Sequence, residues 1–222
     1  MRYDSEHKAK TRELLLQEAA SAIRAEGPDR ISIAAIMGRA GLTHGGFYAH
    51  FASKEELIAA AIQRMFEMVD QAVQRRLEGL EPAEALAYFI DDYLSARHVD
   101  SVSEGCPLPA LCADVARLGI EIKAPFSHGF AQLKERLADL FRQLGHQNTE
   151  AEELATSVYA EMAGALSIAR AIQDPDQAAK IRNHCRRSLK RRLGLNLPQE
   201  RSTKRSSAKR RPAPHRELRD ER

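Results

Sequence analysis

Ile31-Ser32-Ile33-Ala34-Ala35-Ile36-Met37-Gly38-Arg39-Ala40-Gly41-Leu42-Thr43-His44-Gly45-Gly46-Phe47-Tyr48-Ala49-His50-Phe51 is the stretch that decides the fold. Ser32 can cap a short helix carrying Ile33, Ile36 and Met37, and Gly41 suits the left-handed residue that closes one. Thr43 follows at once and can cap a third helix over residues 44–50. Two short helices joined by Ala40-Gly41-Leu42 make a helix-turn-helix, whose second member is the right size for a major groove. With Phe47 and Phe51 turned inward, Thr43, His44, Gly45, Tyr48 and His50 lie toward the other faces and offer hydroxyl and imidazole groups, which suit phosphates and base edges. Gly45-Gly46 inside a helix costs on the order of 1 kcal/mol per glycine relative to Ala, which makes sense where the backbone must come close to another surface such as duplex DNA. A small bundle packed through Ile33, Ile36, Leu42, Phe47 and Phe51 explains the spacing equally well, and the polar outward face is what separates the two readings.

Upstream, Leu15, Ala19, Ala22 and Ile23 recur at three- and four-residue spacing until Gly27-Pro28, which predicts a first helix over residues 8–26. Downstream, Ser53-Lys54-Glu55-Glu56 reads as a capping box opening a long helix. Its stripe runs from Leu57 through Ile62, Met65, Phe66 and Val69 to Leu77 before Gly79. Further amphipathic helices are expected near 82–99, 107–118, 122–144, 149–173 and 175–193, separated by proline, glycine and the 101–107 loop. The expectation is an all-α chain of about nine helices: a helix-turn-helix unit over 1–52, an antiparallel helical ligand-binding and dimerisation unit over 53–195, and a basic disordered tail over 196–222. That tail mixes Arg, Lys, Ser and Pro with almost no large apolar side chain, and Arg201, Lys204, Arg205, Lys209, Arg210 and Arg211 could add non-specific attraction to phosphate.

Composition narrows the class further. Aromatic residues make up only 5% of the 222 residues and tryptophan is absent, so the core must rest on Leu, Ile, Ala and Met, which favours helices. The net charge of +3 is too small to signal nucleic-acid binding by itself; the positive residues gather at the two ends. No apolar run reaches membrane-spanning length and the first residues lack a signal-peptide core, which predicts a cytoplasmic protein with no membrane partner. Cys106, Cys112 and Cys185 stand in no metal-ligand spacing, so free thiols, no metal and no cofactor are expected. No Gly-rich phosphate loop, G-x-S-x-G elbow or H-E-x-x-H occurs, which argues against an enzyme. A helical protein–protein interaction module is the alternative, although it leaves the outward Thr43, Tyr48 and His50 unexplained.

Ile31-Ser32-Ile33, Ile36, the run from Ala40 to Phe51, and Ser53-Lys54-Glu55-Glu56-Leu57 together resemble the TetR/AcrR family of repressors, over about residues 8–57. The resemblance implies a three-helix DNA-binding head, a ligand-binding bundle of about six helices and a homodimer formed by the last two long helices, about residues 149–193. Its partners would be a palindromic double-stranded operator and a small-molecule or electrophile inducer. Carried over by position, it implies that Thr43, Tyr48, His50 and Lys54 contact phosphates, that His44 and Gly45 approach bases, and that Ser32 starts its helix beside the DNA backbone.

The sensing half is less determined. Leu154, Val158, Met162 and Leu166, and Ile181, Cys185, Leu189 and Leu193, form stripes at four-residue spacing that suit a four-helix interface between two copies, or an ordinary core. Cys106 precedes Pro107, a favoured first helical residue, and a helix N-terminus there would favour thiolate. A subset of the family resembles this Gly-Cys loop, which makes Cys106 a candidate oxidant or electrophile sensor; a buried thiol is the plainer alternative, and Cys112 and Cys185 read as core. Phe89, Tyr93, Leu111, Phe130, Met162 and Leu166 are the candidate lining of a ligand pocket, with Arg97, His98 and Glu161 as charged residues nearby.

Overall fold

The computed structural model describes residues 2–195, with side chains from residue 6 onward. The expected basic tail, 196–222, lies outside the described residues. Among them are nine α-helices and one 3-10 helix, with no strand.

Helix α1 (Arg2–Glu26) begins earlier than the apolar periodicity shows, because residues 6–10 are all exposed and carry no apolar stripe. Leu15, Ala19, Ala22 and Ile23 are buried and pack it on α2 (Ile33–Arg39) and α3 (Lys54–Leu77). Ser32 caps α2 by accepting from the Ala35 amide at 3.1 Å. Gly41, at φ +70°, closes it: the Gly41 amide donates to the Gly38 carbonyl and the Leu42 amide to the Met37 carbonyl, so the last carbonyls of α2 are satisfied.

The following segment, His44–Ala49, is a 3-10 helix and not the α-helix its length suggested. With two glycines in six residues, nothing in its propensity favours α over the tighter winding. Ser53 caps α3 by accepting from the Glu56 amide at 3.0 Å, and the Glu56 carboxylate reaches back to the Ala52 amide at 2.7 Å, one residue before the cap.

The expected helix over 82–99 is two helices, α4 (Pro82–Tyr93) and α5 (Ala96–Asp100). The Ser95 hydroxyl takes the His98 amide at 3.2 Å, and the Leu94 carbonyl accepts instead from Arg182 and Arg186, 2.8 Å each. Helices α6 (Pro107–Val115), α7 (Ile120–Gln143), α8 (Asn148–Ala171) and α9 (Pro175–Arg192) complete the bundle. Helix α7 packs on α3, α4 and α8, and α8 packs in turn on α9. At the α3–α7 crossing, a β-carbon on Gly129 would lie 2.2 Å from Phe66, so only glycine lets the two helices come this close. The bidentate pair of Arg136 with Asp70, at 2.5 and 2.7 Å, ties the same two helices further along.

Of the two roles that suit the stripes of α8 and α9, an interface between copies or an ordinary core, the structure shows the core. Val158, Met162, Leu166 and Leu189 are completely buried within this chain, and Leu154, Ile181, Cys185 and Leu193 pack against that core. A four-residue repeat marks a buried face without saying which surface buries it. No helix among the described residues is long and apolar enough to cross a membrane, and none of their His, Cys, Asp and Glu side chains cluster as a metal site.

Candidate nucleic-acid interface

Phe47 and Phe51 are buried under the 3-10 helix with rings 5.7 Å apart, and this contact fixes which side of the segment faces out. Thr43, His44, Gly45 and Tyr48 are exposed. Tyr48 stands 65% exposed with its ring edge-on to Phe47, so its hydroxyl projects from a supported ring. The Thr43 side chain makes no capping bond. A β-carbon on Gly45 would meet nothing within this chain, whereas Gly46 faces Met37; the clearance at Gly45 is toward the outside.

Ser32 and Lys54 are engaged inside the protein, and His50 is half-buried. The Ser32 oxygen is occupied by its cap. Lys54 donates to the Asp29 carbonyl at 3.2 Å, across the α1–α2 turn and away from its own helix. His50 ends the 3-10 helix through its amide, and its Nδ1 is buried without a partner. Burial, then the positive charges of Lys8, Arg12 and His7, hold His50 below the ordinary imidazole pKa.

These neighbours mark residues that sequence reasoning passed over. His7, Lys8 and Thr11 of α1 face Thr43 and His50 across a hollow of about 310 Å³, and Arg12 lies over the Phe51 ring at 4.7 Å. The signal is the basic run His7-Lys8-Ala9-Lys10-Thr11-Arg12, which precedes the apolar stripe of α1.

The second concave site, of about 540 Å³, lies where α3, α4, α5 and the 101–106 loop meet Tyr159 of α8. Phe89, Tyr93 and Cys106 line it, as do Arg97 and His98. Four candidates are placed elsewhere: Leu111, Met162 and Leu166 are wholly buried in the core, and Phe130 is half-buried with its ring edge-on to Tyr159. Glu161 pairs with Arg192 at 2.5 Å. Periodicity finds buried positions, and the cavity is instead bordered by half-exposed residues of α3 such as Val69 and Ala72.

Cys106 is the residue before α6, as expected, yet burial pushes its thiol above the ordinary value despite Tyr93, the Leu108 amide and Arg24 favouring thiolate. Desolvation therefore outweighs the helix terminus. Cys185 is half-buried and packs against the core, as expected, whereas Cys112 is exposed and does not belong to it.

His98 joins two chain segments: its Nδ1 is 2.8 Å from the Tyr93 carbonyl, and its Nε2 accepts from the Cys106 amide at 3.0 Å. Arginines from three distant helices hold the same connection. Arg24 of α1 donates to the Ser103 carbonyl, Arg170 of α8 to those of His98 and Val99, and Arg182 and Arg186 of α9 to that of Leu94. Arg24 is buried, which lowers its pKa to about 10 and leaves it charged at neutral pH. The first helix of the head is thus bonded directly to the loop that walls the cavity.

Residues 15–61 match the family "Bacterial regulatory proteins, tetR family", and residues 82–184 match "Transcriptional regulator LmrA/YxaF-like, C-terminal domain". The chain is a TetR-family transcriptional regulator. The HTH-type transcriptional regulator LmrA of Bacillus subtilis is 23% identical over 158 residues, 70% of this chain and 84% of that protein. YvdT of the same organism, an uncharacterised HTH-type transcriptional regulator, is 33% identical over 93 residues, 40% of this chain and 48% of that protein. A TetR regulator from Chloroflexus aurantiacus shares the fold at TM-score 0.73 and 23% identity, covering 85% of this chain and 96% of its own. Escherichia coli NemR in its reduced form does so at TM-score 0.71 and 18% identity, covering 82% and 96%. As a TetR-family member the regulator binds DNA through the helix-turn-helix and is not an enzyme.

Proposed function

We propose that this regulator is a homodimeric repressor whose two heads occupy the half-sites of a roughly palindromic operator and release it when the cavity is filled. The exposed surface formed by Thr43, His44, Gly45 and Tyr48 over a buried Phe47–Phe51 pair is the observation that carries the DNA-reading part. Thr43, Tyr48, His50 and Lys54 contact phosphates, His44 and the open backbone at Gly45 approach base edges, and Ser32 sets the start of α2 beside the DNA backbone. Lys54 exchanges its Asp29 carbonyl for a phosphate. The protein works in the cytoplasm, where its DNA is.

The dimer forms through the outward faces of α8 and α9, about residues 149–193. Ala160, Gly164 and Ile168 stand exposed at four-residue spacing on α8, beside the exposed Lys180, His184 and Arg187 of α9. Release follows from the loop that Arg24 holds. A ligand that displaces His98, Glu104 or Cys106 moves the Ser103 carbonyl against α1, and α1 carries the recognition segment with it. Cys106 lines the cavity, so an electrophile could reach it there, but its suppressed thiolate favours a reversible ligand as the inducer.

Fluorescence anisotropy of Tyr48→Phe against wild type on the protein's upstream intergenic DNA, with excess competitor DNA, tests the reading. Losing a hydroxyl-to-phosphate bond should weaken specific binding about tenfold or more at fixed salt. Equal binding by both proteins would remove Tyr48 from the interface.

A further inference from the structure

The cavity has a sharply divided lining. Its floor is aromatic: Phe89 and Tyr159 meet edge-on at 5.6 Å, and Tyr93 lies 6.0 Å from Phe89 and 6.4 Å from Tyr159. All three rings are buried. The Tyr93 hydroxyl is buried too, with the Cys106 thiol as a neighbour it can donate to.

The mouth is cationic. Arg75, Arg76 and Arg97 are exposed at its edge. Asp92 is shared between Arg76, at 2.8 Å, and Arg97, so one carboxylate serves two guanidiniums. Arg75 has no ion-pair partner among the described residues, whereas Arg64, deeper along α3, is occupied by Glu13 and Glu67. Glu104 is the other carboxylate lining the site, and it is electrostatically coupled to the buried Arg24. Three guanidiniums face two carboxylates, one of them drawn elsewhere, so positive charge is left over where a ligand would enter.

We propose that the cavity takes an organic acid with an aromatic body, its ring on Phe89, Tyr93 and Tyr159 and its carboxylate or sulfonate between Arg75 and Arg97. The Tyr93 hydroxyl, which faces the Cys106 thiol, turns from it to donate to an oxygen on the buried end of the ligand. This assignment rests on the reading of the cavity as the effector site. A cationic ligand would be repelled by the guanidiniums at the mouth, and a wholly neutral one would gain no charge-assisted bond from them.

Two fluorescent probes of nearly the same shape test this on the full chain: anilinonaphthalene sulfonate, and the uncharged phenylnaphthylamine. The sulfonate should saturate at one per chain. Replacing Arg75 and Arg97 together by Gln should weaken it about tenfold or more, the loss of a charge-assisted contact, while phenylnaphthylamine changes by less than about twofold. Ala72→Phe, or Val73→Phe if the first variant fails to melt cooperatively, fills the cavity and should abolish binding of both probes. Probes that bind alike and ignore the Gln substitutions would overturn the acid assignment and leave the cavity as effector site. Absence of binding by either probe, or binding unchanged by the filling variants, would overturn the cavity reading and the acid assignment with it.

Discussion

One imidazole, His98, holds the end of α4 to the start of α6, and only in its neutral form. Its Nε2 must accept the Cys106 amide, so protonation there breaks the bond, and burial already lowers its pKa. Arg170 nearby acts in the same direction as burial; the Tyr93 carbonyl and Asp92 oppose it. Because the folded-state pKa lies below the unfolded value, the unfolded chain binds more protons across the interval between them, and stability is full above the unfolded value and falls as pH drops through it. The thermal midpoint should therefore decline between roughly pH 7.5 and 5.5, and His98→Asn should flatten part of that decline, His50 supplying another part in the same direction. A midpoint with the same pH slope in both proteins would show that His98 is not held neutral. At this scale the exposure of Thr43, His44, Gly45 and Tyr48 was legible, because Phe47 and Phe51 four apart fix which neighbours point outward. The arginines on the 94–103 carbonyls were not: nothing local distinguishes Arg24 or Arg170 from a solvated charge, and their partners lie 79 and 71 to 72 residues away.

Elements whose ends are set locally could be read from the sequence, and those set at a distance could not. Ser32, Gly41 and Ser53 cap with their own neighbours, and the boundaries they imply for α2 and α3 are the observed ones. The break between α4 and α5 depends on Ser95 outcompeting a backbone carbonyl, which is tolerable because Arg182 and Arg186 satisfy Leu94 from 88 and 92 residues away. The close α3–α7 crossing is equally invisible in a pattern of apolar residues, although it decides a substitution. Gly129→Ala, normally favourable inside a helix, should here destabilise by roughly 1–3 kcal/mol, because Phe66 would have to shift near its own β-carbon. Denaturant unfolding measures this; a variant as stable as wild type would show that the crossing can relax at no cost.

For the molecule as a whole, the fold class and the head followed from the sequence, but the surface between two copies did not. The stripes on α8 and α9 were real, and the chain's own core buries them. That leaves Gly164, open on its outer side, and Ile168, 52% exposed, as the centre of the proposed dimer face. Gly164→Trp should shift the protein toward monomer in sedimentation equilibrium and weaken operator binding by about tenfold or more, since one head holds only half of the phosphate and base contacts. An unchanged dimer would move the interface away from this face.

Paired heads reading one specific site is what sets this regulator apart from a helical interaction module. The decisive experiment is a stoichiometric anisotropy titration of the wild-type protein on a duplex from its own upstream intergenic region, in excess random competitor. A sharp break at an even number of chains per duplex, surviving the competitor, is expected. Binding that the competitor abolishes, or a break at a single chain per duplex, would contradict it.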